Sequence, residues 1–518
     1  MSSFTRKNAW NNGGTFDNPD LLWYAKGVGV MQSLSLDNQN SWWFFAAMHG
    51  EYVDPSTAWY TKPPAFPDWG FIPGPPQVPT TPLPSQNLLD LYWDQCQHQS
   101  WYFTPWHRGY LVALEAQIRA AVVSLGGPSD WALPYWNYFG PDNEYEIPPA
   151  FTQQTLPDGT ANPIFVKARY GPKMDGNIYI PIPPVSEACE SNTIYTGSNS
   201  VTRPPGFGGP STGFSHDGEI SGNLESNPHN QVHVDVGGIN TDQTVWGLMS
   251  DPGIAALDPI FYLHHSNIDR MWAAWNANGN SNPSDPNWLN GPAAIGEREF
   301  AMPLPDGSSW VYTPADVNSL DQMDYTYDDL TVTVSTQPAA RLAQRLTRLG
   351  AAPAAGNIAP GVNMVSGDDA ELVGSHDGAL QIKSSGARAT VKLDSSVRQN
   401  VSASLTAASE ASLPDRVYLQ LENVRGNIDA YKLNVSVNQQ PAETVALFGL
   451  RRASVKDGGH GGKGLTFVLD ITDIIDNLFL NNALDVDALD VRIEPNHAVP
   501  DDAALTVGRI SIYRQGQQ

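Results

Sequence analysis

Seven of the eleven histidines fall into short clusters within the first 265 residues, and their spacing restricts the fold. The clusters are His49, the pair His98 and His107, the pair His229 and His233, and the adjacent pair His264 and His265. Residues four apart share one helical face, so His229 and His233 have the spacing that two imidazoles need to hold one metal ion. Adjacent residues lie about 100° apart around a helix axis, so only one of His264 and His265 points inward with that face.

A histidine beside bulky aromatic residues is, taken singly, more typical of a hydrogen-bonded core residue than of a ligand. Several such imidazoles on three helices and a flanking loop instead favour a metal site. Ligation by nitrogen alone favours copper, with zinc and iron as alternatives. One inward histidine from the adjacent pair leaves six ligands, which is three for each of two ions.

Helix start and stop signals predict four helices in the first part of the chain. The segment DLLWYAKGVGVMQSL begins on Asp20, and SWWFFAAMHG ends at Gly50. The segment FTPWHRGYLVALEAQIRAAVVSLGG has Thr104 as a candidate N-cap before Pro105, and Asp258 repeats that signal for DPIFYLHHSNIDRMWAAW. These signals predict a mainly α catalytic domain over residues 1–335, a four-helix bundle with long Pro/Gly-rich loops.

The composition changes in the second part of the chain. Residues 336–365 are rich in Ala, Pro and Gly, which predicts a linker containing a short basic helix. Residues 366–518 alternate apolar and polar side chains, as in RVYLQLENV and YKLNVSVN, which predicts an all-β sandwich. The expected fold class is therefore α+β multidomain.

The net charge of −25 argues against nucleic acid or an anionic membrane as partners, because both repel an acidic surface. No apolar run is long enough to cross a membrane, and the first residues have neither an apolar signal region nor a twin-arginine pair. We therefore expect a cytoplasmic protein that acts on small molecules, with a homo-oligomer as a candidate state. The two cysteines agree with a chain that does not depend on disulfides.

Four stretches together resemble the type 3 dicopper proteins, which are the tyrosinases, catechol oxidases and hemocyanins. They are the HG at residue 49, CQHQSWYFTPWHR from Cys96, NPHNQVHVDVGG from Asn227, and DPIFYLHHSNIDRMW from Asp258. The resemblance implies two copper ions as cofactors. It assigns three ligands to each ion: His49, His98 and His107 to the first, and His229, His233 and His265 to the second.

The resemblance also implies roles for residues beside the ligands. Cys96 matches the cysteine that forms a thioether with a ligand histidine in fungal tyrosinases and molluscan hemocyanins, here His98; the alternatives are a buried thiol and a disulfide to Cys189. Glu225 and Asn230 match the pair proposed to hold a water that deprotonates an incoming phenol, with Glu219 as a second candidate for the carboxylate.

Further residues extend the same comparison. Asp269 is expected to support the site from behind the ligands or to pair with Arg270, and Tyr325 and Tyr327 resemble the tyrosine motif that ends the catalytic domain. Pro252 stands where plant catechol oxidases have a gating phenylalanine. The aromatic residues Trp101, Phe103, Trp106, Phe261 and Tyr262 are candidates for the pocket lining, although most are expected in the core.

The expected activity is that of a tyrosinase, or polyphenol oxidase, which uses O2 to hydroxylate monophenols to o-diphenols and to oxidise o-diphenols to o-quinones. The alternatives are a catechol oxidase without monophenolase activity, a hemocyanin-like O2-binding protein, and a structural zinc protein. The C-terminal region resembles, more weakly, the domain that covers the copper site in plant and some bacterial relatives. The loop KDGGHGGKG, residues 456–464, is a candidate for reaching the entrance.

Overall fold

The structure is a computed structural model. It describes residues 4–50, 74, 76–79, 81–93, 95–197, 204–214, 219–332, 338–351, 366–410, 414–455, 462–484 and 487–517. Most buried apolar side chains belong to two large cores, one formed by residues between Ala9 and Val317, the other mainly by residues between Leu342 and Ile512. Within the described ranges, no helix combines the length and the apolar character needed to cross a membrane.

The first core is helical. Its helices are α1 (Pro19–Gln32), α2 (Trp42–His49), α3 (Gln86–Tyr92), α4 (Phe103–Ser124), α5 (Gln231–Gly237), α6 (Ile260–Ala277), α7 (Pro286–Leu289) and α8 (Pro314–Val317). Local capping explains several boundaries, because the side chain of Asn18 accepts from the backbone N–H of Asp20, and that of Ser41 accepts from the N–H of Phe44. Asp258 accepts from the N–H of Ile260 at the start of α6, as its sequence signal predicted.

The arrangement is less regular than the expected four-helix bundle. His229 does not lie on the same regular helix as His233, because it belongs to a π-helical turn, Glu225–Asn230, that is interrupted by Pro228 and by extended backbone at Asn227. The predicted cap at Thr104 is also absent, since α4 begins at Phe103 and the Thr104 hydroxyl hydrogen-bonds to the Tyr195 hydroxyl instead.

Short strands complete this part of the chain. β1 (Phe4–Arg6) pairs in parallel with β4 (Tyr325–Tyr327), and β2 (Phe300–Pro303) pairs with β3 (Ser309–Tyr312). The first pairing brings the amino-terminal segment to the predicted tyrosine motif, where the Arg6 guanidinium lies 3.6 Å from the centre of the Tyr325 ring.

The second core is built on one eight-stranded sheet with the order β10-β9-β12-β7-β5-β14-β8-β11. The strands of this part are β5 (Ser366–His376), β6 (Leu380–Gln381), β7 (Ala387–Leu393), β8 (Arg416–Val424), β9 (Lys432–Val437), β10 (Gln440–Ala446), β11 (Leu465–Asp470), β12 (Ala488–Pro495), β13 (Thr506–Val507) and β14 (Arg509–Gln517). Its helices are α9 (Pro338–Arg348), α10 (Ser395–Ala407), α11 (Leu450–Ala453) and α12 (Thr472–Leu480).

This single sheet differs from the predicted sandwich of two sheets. The edge strands β10 and β11 lie against each other, so the sheet approaches a closed barrel. Alternation in the sequence predicts that each strand has a buried and an open face, which the structure shows in β7. Alternation does not specify whether the buried faces belong to one curved sheet or to two packed sheets.

Candidate dicopper site

The first group of predicted ligands converges where α2 ends and α4 begins. His49 is the last residue of α2, His107 lies in the first turns of α4, and His98 lies in the segment between α3 and α4. All three are buried, and their ring centres lie 5.3 to 5.6 Å apart. One potential ligand atom from each histidine and the sulfur of Cys96 all lie within 4.8 Å of one another.

The second group is tighter. The Nε2 atom of His229 lies 3.1 Å from Nε2 of His233 and 3.2 Å from Nε2 of His265, and the remaining pair is separated by 3.4 Å. Three imidazole nitrogens at these distances are aimed at one common point. The two groups meet through His107 and His265, whose rings stack with centres 4.5 Å apart.

Hydrogen bonds on the far side of the rings select the nitrogen that faces the centre. In four of the six rings, Nδ1 lies 2.8 to 3.0 Å from an oxygen: His49 from the Pro252 carbonyl, His107 from the Phe103 carbonyl, His229 from Asn230 Oδ1, and His233 from the Met249 carbonyl. A carbonyl oxygen can only accept, so Nδ1 carries the proton and the Nε2 lone pair is left for a metal ion.

Burial keeps these rings neutral, as ligation requires. It lowers the pKa of His229 to about 3, and it lowers the pKa values of His107, His233 and His265 well below the ordinary value for histidine. Neighbouring imidazoles lower the pKa values of the last three further. The donors therefore fit copper, which binds neutral imidazole.

The structure distinguishes between His264 and His265. Nε2 of His265 joins the convergent trio, whereas the ring of His264 stacks on His229 with centres 5.3 Å apart. His264 still lies close enough to belong to the same cluster, and neither of its nitrogens has a hydrogen-bond partner among the described residues.

Cys96 lies beside two of the first three histidines. Its sulfur is 3.6 Å from Nδ1 of His98 and 3.7 Å from Nε2 of His107. A disulfide to Cys189, one of the alternatives considered from the sequence, is not formed, because both cysteines are buried free thiols.

Glu225 is almost completely buried, with 1% of its surface exposed. Its two carboxylate oxygens accept from the backbone N–H of Gln99 at 2.9 and 3.0 Å. Gln99 follows the candidate ligand His98 and has a left-handed backbone with φ of 49°, which directs this N–H at the carboxylate. Burial raises the pKa of Glu225 to about 8 against the opposing effect of the hydrogen bonds.

The other predicted residues have different surroundings. Asn230 accepts from Nδ1 of His229 and donates to the Ser221 hydroxyl, 3.4 Å away. Glu219, the second candidate for the carboxylate, forms an ion pair with Lys463 across the domain boundary.

Asp269 lies behind the site but does not pair with Arg270, which bonds to Asn267. It pairs with Arg108 and Arg6 and accepts from the hydroxyls of Tyr325 and Tyr327. Burial alone would raise the pKa of Asp269, but the two arginines and two hydroxyls outweigh burial and hold it below its usual value. Through Arg108, this network reaches the residue directly after the candidate ligand His107.

Comparison with known proteins agrees with this geometry. Residues 39–278 match the family model described as the common central domain of tyrosinase, and residues 369–515 match a domain of unknown function. A tyrosinase from Hahella sp. (strain CCB-MM4) is 31% identical over 96% of this chain and 97% of its own length. The chain belongs to the tyrosinase family.

More distant relatives extend the comparison. The latent form of a chloroplastic polyphenol oxidase from Prunus armeniaca is 30% identical over 37% of this chain and 32% of its own length. The structure of latent apple tyrosinase superposes with a TM-score of 0.55 over 99% of this chain and 97% of that one, at 18% identity. That of a latent aurone synthase gives 0.56 over 99% and 89%, also at 18% identity. These two structures show that both domains share the tyrosinase and polyphenol oxidase fold.

Tyrosinase-family members are type 3 copper enzymes with a dicopper centre, and this chain has the two histidine-rich sites for it. Several of the predicted aromatic residues surround these sites. Phe261 lies 4.1 Å from His265 between ring centres, and Phe103 lies 4.5 Å from His107. All five predicted aromatic residues, including Trp101 and Tyr262, belong to the first core, as expected for most of them.

A residue that the sequence did not indicate lies at the centre of the site. Phe448, which follows β10 in the C-terminal domain, stacks on His233 with ring centres 4.2 Å apart, and its edge approaches His229. Only 1% of its surface is exposed. The predicted contact from residues 456–464 concerns residues that, apart from 462–464, lie outside the described part of the chain.

Proposed function

We propose that this chain is a phenol oxidase that hydroxylates monophenols to o-diphenols and oxidises o-diphenols to o-quinones. We assign the first copper ion to His49, His98 and His107 and the second to His229, His233 and His265. The observation that carries the assignment is the convergence of the second trio of Nε2 atoms within 3.4 Å of one another. When bound, two copper ions supply the electrons that O2 needs, one from each ion.

The residues of the chain prepare this site in three ways. Backbone and side-chain carbonyls fix the ring orientations, so the ligand nitrogens need not reorganise when an ion binds. The aromatic residues around the rings exclude water. We also propose a thioether between Cys96 and His98, because the sulfur already touches that ring. Formation of the crosslink breaks the S–H bond of Cys96 and one ring C–H bond of His98 and forms an S–C bond, with O2 accepting the two electrons and two protons. The intact mass of the metal-free protein would then be two hydrogens lower than the sequence mass.

We assign Glu225, together with Asn230, the role of accepting the proton of an incoming monophenol. A phenol has a pKa of about 10, so binding as a phenolate requires a base. Burial raises the pKa of Glu225 to about 8 in the metal-free chain. Its ionised form is therefore a stronger base than an ordinary carboxylate and suits the removal of a phenol proton. A catechol oxidase without monophenolase activity would not depend on such a base.

The position of Phe448 supports a place for the substrate ring. An aromatic ring already stacks on His233 in van der Waals contact and meets His229 at its edge. Displacement of Phe448 would expose a space of the same shape beside the second copper site. A phenol ring that takes this space would lie against the imidazoles of His229 and His233.

We further propose that the C-terminal domain keeps the enzyme latent, because Phe448 and a substrate ring cannot share this space. Basic residues of the C-terminal domain bind acidic residues of the catalytic domain on both sides of Phe448. Lys432 pairs with the buried Asp235, and Arg451 pairs with Asp251. Gly449, next to Phe448, has a left-handed φ of 80°, and a Cβ atom at this position would lie 3.7 Å from the Pro252 side chain.

Metal analysis and turnover test these assignments together. Full-length protein loaded with copper should contain two ions per chain, and protein opened by limited proteolysis should brown both tyrosine and catechol. Fewer than two ions would contradict the ligand assignment. Absorption of the oxygenated form without browning of catechol would instead indicate an oxygen carrier.

The role of Glu225 is tested by Glu225→Gln, with Glu219→Gln as the matched control. Loss of a general base typically costs about 10² to 10⁴ in rate. We therefore expect Glu225→Gln to lose at least about a hundredfold of its turnover of tyrosine but far less of its turnover of catechol. Glu219→Gln should change neither the turnover of tyrosine nor the turnover of catechol. Equal losses on both substrates would exclude the base.

A further inference from the structure

One short segment orients a ligand in each of the two copper sites. The carbonyl of Met249 holds Nδ1 of His233, at 2.8 Å, and the carbonyl of Pro252 holds Nδ1 of His49, at 3.0 Å. The two carbonyls lie only three positions apart in the chain. We call residues 249–252 the orienting segment. A displacement of this segment would release one ligand ring in each site.

The shape of the orienting segment depends on Asp251, which lies between the two carbonyls. One carboxylate oxygen accepts from the backbone N–H of Gly253 at 2.9 Å, and the other accepts from the indole N–H of Trp246 at 3.3 Å. The backbone carbonyl of Asp251 accepts from the N–H groups of Ile254 and Ala255. These bonds close the turn that presents the Pro252 carbonyl to His49.

The C-terminal domain binds the same carboxylate. The guanidinium of Arg451 pairs with Asp251 and also contacts Asp429 of its own domain at 3.4 Å. The Arg451 backbone N–H donates to Asp429 at 2.8 Å, which holds the arginine in place. Asp251 is almost fully buried, with 5% of its side chain exposed, so removal of Arg451 would leave a poorly solvated negative charge in the turn.

We propose that Asp251 is a positioning residue for both copper sites and that Arg451 clamps it, so that docking of the C-terminal domain strengthens copper retention. This inference rests on the ligand set proposed above. It assigns the domain a second role besides occlusion by Phe448, because the clamp acts through the backbone carbonyls that orient His49 and His233. A lid that only blocked the substrate would need no contact with this segment.

The experiment measures the equilibrium affinity of the full-length, copper-loaded chain in its reduced form by competition with the copper(I) chelator bathocuproine disulfonate. Removing a residue that orients metal ligands typically weakens metal affinity about 10- to 100-fold. We expect a loss in this range for Asp251→Ala and a loss of about tenfold for Arg451→Ala. Because one ligand of each site is released, both ions should be lost in parallel.

A control variant separates the clamp from other contacts of the C-terminal domain. Lys463→Gln removes an exposed ion pair with Glu219 at the domain boundary and leaves the contact between Arg451 and Asp251 in place. It should bind copper within about threefold of the parent affinity, because an exposed pair contributes little to closure.

If Asp251→Ala does not fold, Asp251→Asn carries the test, because it keeps the acceptor for Gly253 but loses the charge that binds Arg451. Unchanged copper affinity in both Asp251→Asn and Arg451→Ala would overturn the inference. An equal loss in Lys463→Gln would also overturn it, by assigning the effect to any weakening of the domain boundary. A parent protein with fewer than two copper ions would instead refute the proposed function, so the two failures are distinguishable.

Discussion

Phe448→Ala should activate the full-length chain without proteolysis. The substitution removes a ring that is 1% exposed and stacked on His233. Burial of a phenylalanine side chain is worth roughly 1.5–3 kcal/mol, and an aromatic stack adds about 0.5–1.5 kcal/mol. The docked form should therefore lose about 3 kcal/mol, which shifts the ratio of closed to open molecules roughly a hundredfold.

The assay is the initial rate of catechol oxidation by full-length, copper-loaded protein before and after limited proteolysis. Before proteolysis, Phe448→Ala should exceed the parent rate by about 10- to 100-fold. After proteolysis, the two rates should be equal, because the copper ligands are unchanged. The matched control is Phe479→Ala, which removes a ring that packs on the second core away from the copper sites.

Two results would refute this reasoning. One is a Phe448→Ala protein that stays as inactive as the parent until it is cut, which would mean that another contact blocks the site. The other is an equal activation by Phe479→Ala, which would show that any loss of stability in the C-terminal domain opens the enzyme. The reasoning therefore requires that the rate before proteolysis rises in Phe448→Ala and does not rise in Phe479→Ala.

Three further predictions concern stability. Lys432→Met leaves Asp235 as a buried, unpaired carboxylate and should destabilise the docked domains by about 3–5 kcal/mol, measured by chemical denaturation. Glu190 is buried without a hydrogen-bond partner among the described residues, and burial, then repulsion by a nearby glutamate, raises its pKa to about 8. The folded state therefore binds more protons than the unfolded state between about pH 4.5 and 8. The free energy of unfolding should fall by up to about 5 kcal/mol as the pH rises through that window. In Glu190→Gln this contribution should disappear from urea midpoints at pH 6 and pH 9, and an unchanged slope would contradict the assignment. Gln99→Gly should raise the melting temperature by relieving the left-handed backbone, without changing tyrosine turnover, because the N–H that binds Glu225 is kept.

The proposed copper ligands could be predicted from the sequence because part of their geometry is local. His229 and His233 are four residues apart, and that separation places their Nε2 atoms 3.1 Å apart even though a π-helical turn replaces the predicted regular helix. The choice of His265 over His264 was not local, since it depends on how α6 is rotated against the other helices. The sequence left that choice open, and only the resemblance to the family indicated His265.

The contacts that the sequence could not indicate join distant parts of the chain through backbone atoms or through a single apolar side chain. The carbonyl of Pro252 orients His49 from 203 positions away, and any residue has a carbonyl. Phe448 is one of 17 phenylalanines, and its role depends on where the strand before it ends. The sandwich prediction was wrong for a related reason, because strand alternation carries no information on how a sheet curves.

The domain boundary shows how an acidic protein can close on itself. The chain has a net charge of −25, so two halves without charge complementarity would repel each other. At the boundary the acidic partners Asp235, Asp251 and Glu219 lie on the catalytic side, and the C-terminal domain supplies a basic residue to each. Salt screens exposed pairs far more than buried ones, so the pair of Glu219 should weaken first while that of Asp235 persists. Exposed ion pairs therefore contribute to closure in a way that salt weakens, whereas the apolar contact of Phe448 contributes in a way that salt does not weaken. High salt alone should loosen the domain boundary without displacing Phe448 from the candidate copper site.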